Sequence, residues 1–158
     1  MSNGVISMRT ILYTMHFRGR ISAASSDSKS LRTTGSATSC TITTTVLPSG
    51  VEADVRASEG DLAFLDSELR VTGSDSFQED GIIAFGDDSE HLLRFSTIGE
   101  GHLTACLDPG TMAGTVICNI NGGKGQFVAA SGFINSTFTL TESGELNDHQ
   151  SGLIFLPE

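Results

Sequence analysis

The chain has few basic residues, and this scarcity excludes two classes of partner. Its 158 residues include 9 Lys and Arg against 19 Asp and Glu, so the formal net charge is −10 at pH 7. Nucleic-acid binding requires clustered positive charge, and attraction to an anionic membrane surface requires it too. The sequence therefore predicts neither a nucleic-acid partner nor a membrane partner. The charge balance is compatible with a small neutral ligand.

Long apolar runs are missing as well. No stretch approaches the roughly 18 apolar residues that a membrane-spanning helix needs. The opening residues, MSNGVISMRTILYTMHFRG, lack the basic leader and apolar segment of a signal peptide. These features predict a cytoplasmic protein.

Only three cysteines are present, Cys40, Cys106 and Cys118, and no pair has the CxxC spacing of a zinc or redox site. Three reduced thiols in a cytoplasmic protein are the favoured interpretation, with one disulfide plus a free thiol as the alternative. A nucleophile elbow, an HExxH motif and a dinucleotide fingerprint are also absent. The sequence thus predicts no metal ion and no cofactor.

Helical periodicity is the last feature that the chain lacks, because no apolar pattern keeps a helical phase for more than about two turns. There is no Trp and one Tyr, whereas 18 Gly and many Ser and Thr suit short strands and tight turns. The length fits one domain with a sizeable core. We expect a single all-β domain over residues 1–158, with residues 1–7 as a flexible tail.

The clearest signals for strands and turns lie in the stretch GTVICNINGGKGQFVAASGFINSTFTL. Residues 115–120 alternate in polarity, which predicts a strand. The glycines of 121–125 permit the positive φ of a tight corner. Residues 126–130 are too short for an independent helix, so a wound turn held by Phe127 is predicted. Residues 131–140 alternate again and predict the next strand.

Similar alternation predicts the other strands, over residues 8–21, 37–47, 51–57, 69–77, 81–85, 90–98, 101–107 and 152–156. The polar segment 22–36 is predicted to be a long loop. Segment 58–68, which contains EGDLAFLDSEL, is predicted to form a short helical cap over one barrel end. Short strands in this number favour a single closed antiparallel barrel of about eight strands, of the calycin kind.

The corner GGKGQFVAASG resembles the GGTGRFAGATG corner of the allene oxide cyclase-like and dirigent-like barrels. The flanking LLRFSTIGEG and GELNDHQSGLIFLP extend the resemblance over residues 94–157. The resemblance implies an eight-stranded antiparallel barrel with an interior cavity. It further implies a homodimer or homotrimer and a small hydrophobic ligand, which a cofactor-independent enzyme would cyclise or isomerise.

Ionisable residues within predicted strands are the candidates for such chemistry. Arg94, Glu100 and His102 share one parity if the strand runs unbroken through Gly99 and Gly101. A His and a carboxylate that converge in an apolar barrel could serve as acid and base, because burial and mutual contact together shift their pKa values toward neutrality. In the alternative, the two glycines break the strand and leave Glu100 and His102 on an exposed bulge.

His16 is the third catalytic candidate, and its alternative is a structural histidine. Tyr13, the only phenol, could donate a proton inside a cavity or belong to the core. Asn119 and Asn135 could place hydrogen bonds on a substrate oxygen or on each other. The predicted substrate contacts are Tyr13, Arg94, Phe95, Asn119 and Asn135.

Three functions remain open at this point. The first is a cyclase or isomerase that works by cavity shape and one acid–base group, which leaves little motif signature. The second is a non-catalytic carrier of a small molecule. The third is a structural barrel whose own side chains fill its interior.

Overall fold

The computed structural model describes residues 6–24 and 29–158, and β-strands form most of that chain. The strands are β1 Met8–Ala23, β2 Ser30–Ala37, β3 Cys40–Leu47, β4 Gly50–Ala57, β5 Ala63–Val71, β6 Ser76–Phe85, β7 His91–Thr97, β8 Gly101–Ala105, β9 Thr111–Lys124, β10 Ser131–Thr141 and β11 Glu145–Pro157. One 3₁₀ turn, Gly125–Phe127, precedes β10. The predicted all-β class is confirmed.

Eight of these strands close into an antiparallel barrel, in the order β1–β2–β5–β6–β7–β9–β10–β11. The seam joins β11 to β1, from Met8 opposite Pro157 to Arg20 opposite Glu145. The short β8 follows β7 and pairs with both β6 and β9. The predicted closed barrel of about eight strands is therefore confirmed.

The barrel interior is filled by the side chains that alternation places inward. The largest fully buried ones are Phe17, Leu65, Phe77, Ile83, Leu93, Cys118 and Ile154. The rings of Phe77 and Phe138 meet edge to face, with centroids 5.7 Å apart. The interior is therefore a packed core, in which each fully buried large apolar side chain stabilises the fold by about 1.5–3 kcal/mol.

The glycine corner between β9 and β10 takes the predicted form. Gly122 and Gly125 have φ of 69° and 60°, a region that favours glycine. Phe127, in the 3₁₀ turn, is buried in the core. At Gly123 a Cβ would lie 1.7 Å from the carbonyl oxygen of Leu92, so only glycine allows β7 to approach so closely.

The predicted helical cap over residues 58–68 is wrong. Ala63–Val71 forms strand β5, in which Ala63, Leu65, Ser67 and Leu69 are buried. The leucine spacing suggested a helix, but pairing with β2 and β6 enforces a period of two instead. The predicted single strand over 69–77 is corrected as well. Its residues belong to two strands, since β5 ends at Val71 and β6 begins at Ser76.

The predicted loop over residues 22–36 is also corrected, because β2 occupies Ser30–Ala37 and pairs with β1 and β5. Its small polar residues gave no strand signal, although Thr33 is buried. Residues 25–28 of that loop lie outside the described residues, as do residues 1–5 of the predicted flexible tail. No helix among the described residues is long and apolar enough to cross a membrane.

β3 and β4 form a hairpin outside the barrel, which we call the arm. Within the described chain these two strands pair only with each other. The base of the arm lies against β1, where the Cys40 Sγ is 3.9 Å from the carbonyl oxygen of Thr14. Almost every residue of the arm is exposed.

Candidate functional site

The barrel core contains a group of buried polar side chains, which we call the interior polar cluster. Its members share inward-facing positions and lie on five different strands: Tyr13, Ser67, Glu79, Ser136, Asp148 and Gln150. The two carboxyl groups are almost fully buried, with Glu79 6% exposed and Asp148 3% exposed. Carboxylates are rarely buried without a paired cation, so this cluster requires an explanation.

Asp148 lies at the centre of one hydrogen-bonded chain across the seam of the barrel. The Ser136 hydroxyl donates to Oδ1 of Asp148, and Nε2 of Gln150 donates to Oδ2 at 2.9 Å. The Tyr13 hydroxyl in turn donates to Oε1 of Gln150 at 2.9 Å. Strand register produces this arrangement, because Ser136 lies directly opposite Gln150 in the β10–β11 pair.

Glu79 is held by the strands on either side of β6. The Ser67 hydroxyl on β5 donates to Oε1 of Glu79 at 2.6 Å. The Thr97 hydroxyl on β7 lies 2.7 Å from both the backbone nitrogen and the backbone oxygen of Glu79. Both the side chain and the main chain of Glu79 are therefore fixed.

Burial dominates the electrostatics of this cluster. Loss of water is the largest of the causes that raise the pKa of Glu79 to about 7; the negative charges of Asp148 and Asp80 act in the same direction, and the hydrogen bond from Ser67 acts against them. Burial also raises the pKa of Asp148, although hydrogen bonds from Ser136 and Gln150 oppose this. Within the described residues, every recorded ion pair lies at the surface and none involves either carboxylate. Near neutral pH, Glu79 can therefore either hold or release a proton.

Tyr13 and Cys118 respond to the same surroundings. Burial raises the pKa of the Tyr13 phenol well above its usual value, and Asp148 adds to the effect. Burial likewise raises the pKa of the Cys118 thiol to about 12, with a further contribution from Glu79. Both groups thus remain neutral, and Cys118 is a packing residue rather than a nucleophile.

A pocket opens at the end of the barrel that carries the glycine corner. Its volume is about 260 Å³, and its lining is Ile11, Tyr13, Phe85, His91, Gln126, Phe127 and Ile154. We call it the mouth pocket. The Phe85 ring packs against those of Phe127 and Tyr13, with centroids 5.2 and 6.3 Å away. Tyr13 belongs both to this pocket and to the interior polar cluster.

His91 gives the mouth pocket an imidazole beside the Tyr13 phenol. Its Nδ1 accepts a hydrogen bond from the backbone N–H of Gln126 at 3.1 Å. A neutral imidazole that accepts at Nδ1 carries its hydrogen on Nε2. His91 can therefore offer a donor to a bound molecule.

The structure separates the predicted catalytic pair from the barrel interior. Gly99 has a φ of 66° and ends the strand that would have joined β7 to β8. As a result, Glu100 and His102 are exposed, and so is Arg94 on the outer side of β7. The expected convergence of these three side chains in a cavity is wrong, because the alternative of a glycine-broken strand is the one that occurs.

The other predicted site residues divide between the two faces of the barrel. Tyr13 and Phe95 are buried in the core. Asn119 and Asn135 lie on paired strands, but both face outward and are exposed. His16 also lies outside, where its ring stacks on His149 with centroids 4.0 Å apart and burial lowers its pKa.

Sequence reasoning missed both buried carboxylates. The signal was present as alternation, since Glu79 falls in phase with buried Phe77 and Ile83 along SFQEDGIIAF. Asp148 and Gln150 fall in phase with Leu146 and Ile154 in the same way. These polar residues were passed over because carboxylates are seldom found inside a core.

Comparisons with family models, with curated proteins and with solved structures give no match. Within the described residues, no group of three or more His, Cys, Asp or Glu side chains could hold a metal ion. The functional argument therefore rests on the geometry of the mouth pocket and the interior polar cluster.

Proposed function

We propose that the protein binds a small, mainly apolar molecule in the mouth pocket. The observation that carries this proposal is that Tyr13 has two roles. Its side chain lines the mouth pocket, and its hydroxyl is the first donor in the buried hydrogen-bonded chain that leads through Gln150 to Asp148. Apolar and aromatic walls with a few fixed polar groups are the usual form of a small-molecule site. A purely structural core would not need a hydrogen-bonded phenol beneath an open apolar pocket.

The chemistry of the pocket suggests the class of ligand. The rings of Phe85 and Phe127 favour a flat apolar body. The Tyr13 hydroxyl already donates to Gln150, so its oxygen remains free to accept a hydrogen bond. His91 adds a donor at the same pocket. A compact ring system with one hydroxyl or carbonyl group fits these walls and this volume.

The packing of the core favours a ligand site at the mouth pocket over one in the centre of the barrel. Large side chains such as Phe17, Phe77 and Leu65 occupy the middle of the barrel. The mouth pocket, at about 260 Å³, is slightly smaller than the range of about 300–1,000 Å³ that small-molecule sites occupy. The proposed ligand is therefore small, and part of it would remain in contact with water.

Cyclisation or isomerisation of that ligand is the second candidate function, and one observation favours it. Glu79 belongs to the interior polar cluster and is not among the residues that line the mouth pocket, but its pKa of about 7 suits a group that gives or takes a proton at neutral pH. In this proposal Glu79 takes the acid–base role that the sequence suggested for Glu100, His102 or His16. The reaction class itself comes from the resemblance to cyclase-type barrels.

The binding proposal can be tested with 2-naphthol, an apolar bicyclic probe that carries one hydroxyl and fluoresces. Gln126→Trp places an indole at the rim of the mouth pocket and should weaken 2-naphthol binding at least tenfold, a loss of about 1.4 kcal/mol. Val128→Trp is the matched control, because Val128 is exposed in the same corner and does not line the pocket. Equal affinity for both variants, or no binding to the native chain, would refute the proposal.

A second experiment separates a carrier from an enzyme. Native mass spectrometry of the purified chain would identify a co-purified ligand, which is then incubated with the native chain and with Glu79→Gln. An enzyme converts the ligand, and the variant should retain binding while it loses conversion. A ligand that the native chain binds and releases unchanged would assign the protein to the carriers.

A further inference from the structure

One side of the barrel has an outer face without charged residues. This face consists of the outward-pointing residues of 10–16 on β1, 149–155 on β11, 131–137 on β10 and 115–119 on β9, and we call it the outer wall. None of these residues is Asp, Glu, Lys or Arg. In a chain with a net charge of −10, such a gap in the charge distribution is unexpected for a solvent-facing surface.

The opposite side of the barrel shows what an ordinary outer face of this protein looks like. There, Arg32 pairs with Asp66 at 2.7 Å, and Arg70 pairs with both Asp80 and Glu68. These residues lie on β2, β5 and β6 and point outward. The same fold therefore carries a charged side and an uncharged side, so barrel geometry does not cause the difference.

Four exposed large apolar side chains lie together on the outer wall. Leu12, Leu153 and Phe133 lie opposite one another across β1, β11 and β10, and form one continuous row. Leu12 is 83% exposed and Phe133 is 52% exposed. Ile117, also 52% exposed, lies beside this row on β9. A contiguous apolar patch of this kind is typical of a contact surface.

The arm carries a second apolar surface, which borders a pocket shared with His16 and Arg18 near its base and is uncovered toward its tip. On one of its faces Ile42 lies opposite Val55 and Val46 lies opposite Val51, and all four side chains are exposed. The other face of the arm carries threonines together with Glu52, Asp54 and Arg56. An isolated two-stranded hairpin is at best marginally stable in water, so a partner that covers its apolar face would stabilise it.

We propose that the apolar face of the arm lies across the outer wall of a second copy of this chain. The two surfaces match in chemistry, since both are uncharged and rich in β-branched residues. The arm is also long enough to cross the wall, because eight residues of the arm span roughly 26 Å and the four strands of the wall span roughly 19 Å. Contact through two uncharged faces brings none of the net negative charge of either copy into the interface.

A second copy explains the arm better than its own barrel does. The base of the arm contacts β1 of the same chain through Cys40 and Thr14. The tip lies far from this contact, and Val46 and Val51 there are 84% and 69% exposed. Each copy thus donates one arm and receives one. Such contacts close as a reciprocal dimer or as a small ring.

Sedimentation velocity of the full chain over a wide concentration range tests this assembly. Val46→Lys on the arm and Leu12→Asp on the wall should each raise the dissociation constant by about thirtyfold or more, as loss of a central contact does. Thr45→Lys, on the polar face of the arm, and Thr34→Asp, on the outer face of β2, are the matched controls and should still assemble. All four positions are exposed, so each variant should fold.

Mixing the two disruptive variants gives a stricter test. In a mixture, the Lys-bearing arm of one variant meets the Asp-bearing wall of the other, while the remaining arm and wall are both native. The mixture should therefore recover assembly that neither variant shows alone, which misfolded protein could not do. A mixture that stays monomeric would overturn the contact between arm and wall.

Two results with the native chain would also overturn the proposal. One is a monomer at every concentration. The other is a monomer that floats with phosphatidylcholine vesicles in a density gradient, which would assign the apolar face of the arm to a lipid surface instead.

Discussion

Replacing Glu79 by Gln should remove much of the pH dependence of folding stability between pH 4.5 and 7. The pKa of Glu79 is about 7 in the folded chain, against 4.5 for the unfolded group. Between these values the folded state binds a proton that the unfolded state has released. Stability from this group is therefore greatest below pH 4.5, and it falls as pH rises toward 7.

The magnitude follows from the size of the pKa shift. Each pKa unit corresponds to about 1.4 kcal/mol, so Glu79 should lower the free energy of unfolding by about 3 kcal/mol across the interval. Burial raises the pKa of Asp148 too, which adds a slope of the same sign. In Glu79→Gln the amide oxygen can still accept the Ser67 hydrogen bond without ionising. This variant should therefore be more stable than the native chain above pH 7.

Urea unfolding followed by far-ultraviolet circular dichroism, repeated at several pH values across the interval, measures this effect. Glu142→Gln removes one exposed carboxylate and controls for the change in net charge. If the native chain showed no fall in stability across the interval, or if Glu79→Gln retained the full fall, the electrostatic account of the core would be wrong.

Three further predictions concern packing, hydrogen bonding and reactivity. Gly123→Ala should cost about 3 kcal/mol or more in thermal unfolding, because the new Cβ would overlap the carbonyl oxygen of Leu92; an unchanged melting temperature would contradict this. Tyr13→Phe should lower the free energy of unfolding by about 1–3 kcal/mol, since Oε1 of Gln150 loses its buried donor; a neutral effect would argue against the seam network. Cys118, buried and with a pKa of about 12, should react with iodoacetamide only on unfolding, and rapid labelling of Cys118 itself in the native chain, located by peptide mass spectrometry apart from Cys40 and Cys106, would refute its burial.

Much of the fold could be predicted from the sequence because strand alternation is a local signal. Val116, Cys118 and Ile120 face inward as their spacing indicates, and so do Ile134 and Phe138. The prediction of a helical cap over residues 58–68 was wrong because the spacing of its leucines fits both a helical period and a strand period. Only pairing with neighbouring strands decides between the two. Strand β2 was not predicted because its small polar residues carry almost no local signal for a strand.

The candidate site could be predicted only in part. Tyr13 and Phe95 lie inside the barrel as expected. Glu79 and Asp148 were missed because their burial depends on hydrogen bonds from Ser67 and Ser136 on neighbouring strands and from Gln150 two residues further along β11. Local sequence describes the cost of burying a carboxylate, whereas only the assembled barrel supplies the groups that offset it.

The seam between β1 and β11 has a consequence for how the chain folds. The hydrogen bond from Tyr13 to Gln150 joins positions that are 137 residues apart, so the barrel closes only by ordering a very long loop. Proteins dominated by such distant contacts fold slowly. Tyr13 is the only tyrosine and there is no tryptophan, so its intrinsic fluorescence should report closure of the seam directly. The chain thus contains its own fluorescent probe of the folding step at which the first strand, β1, pairs with the last, β11.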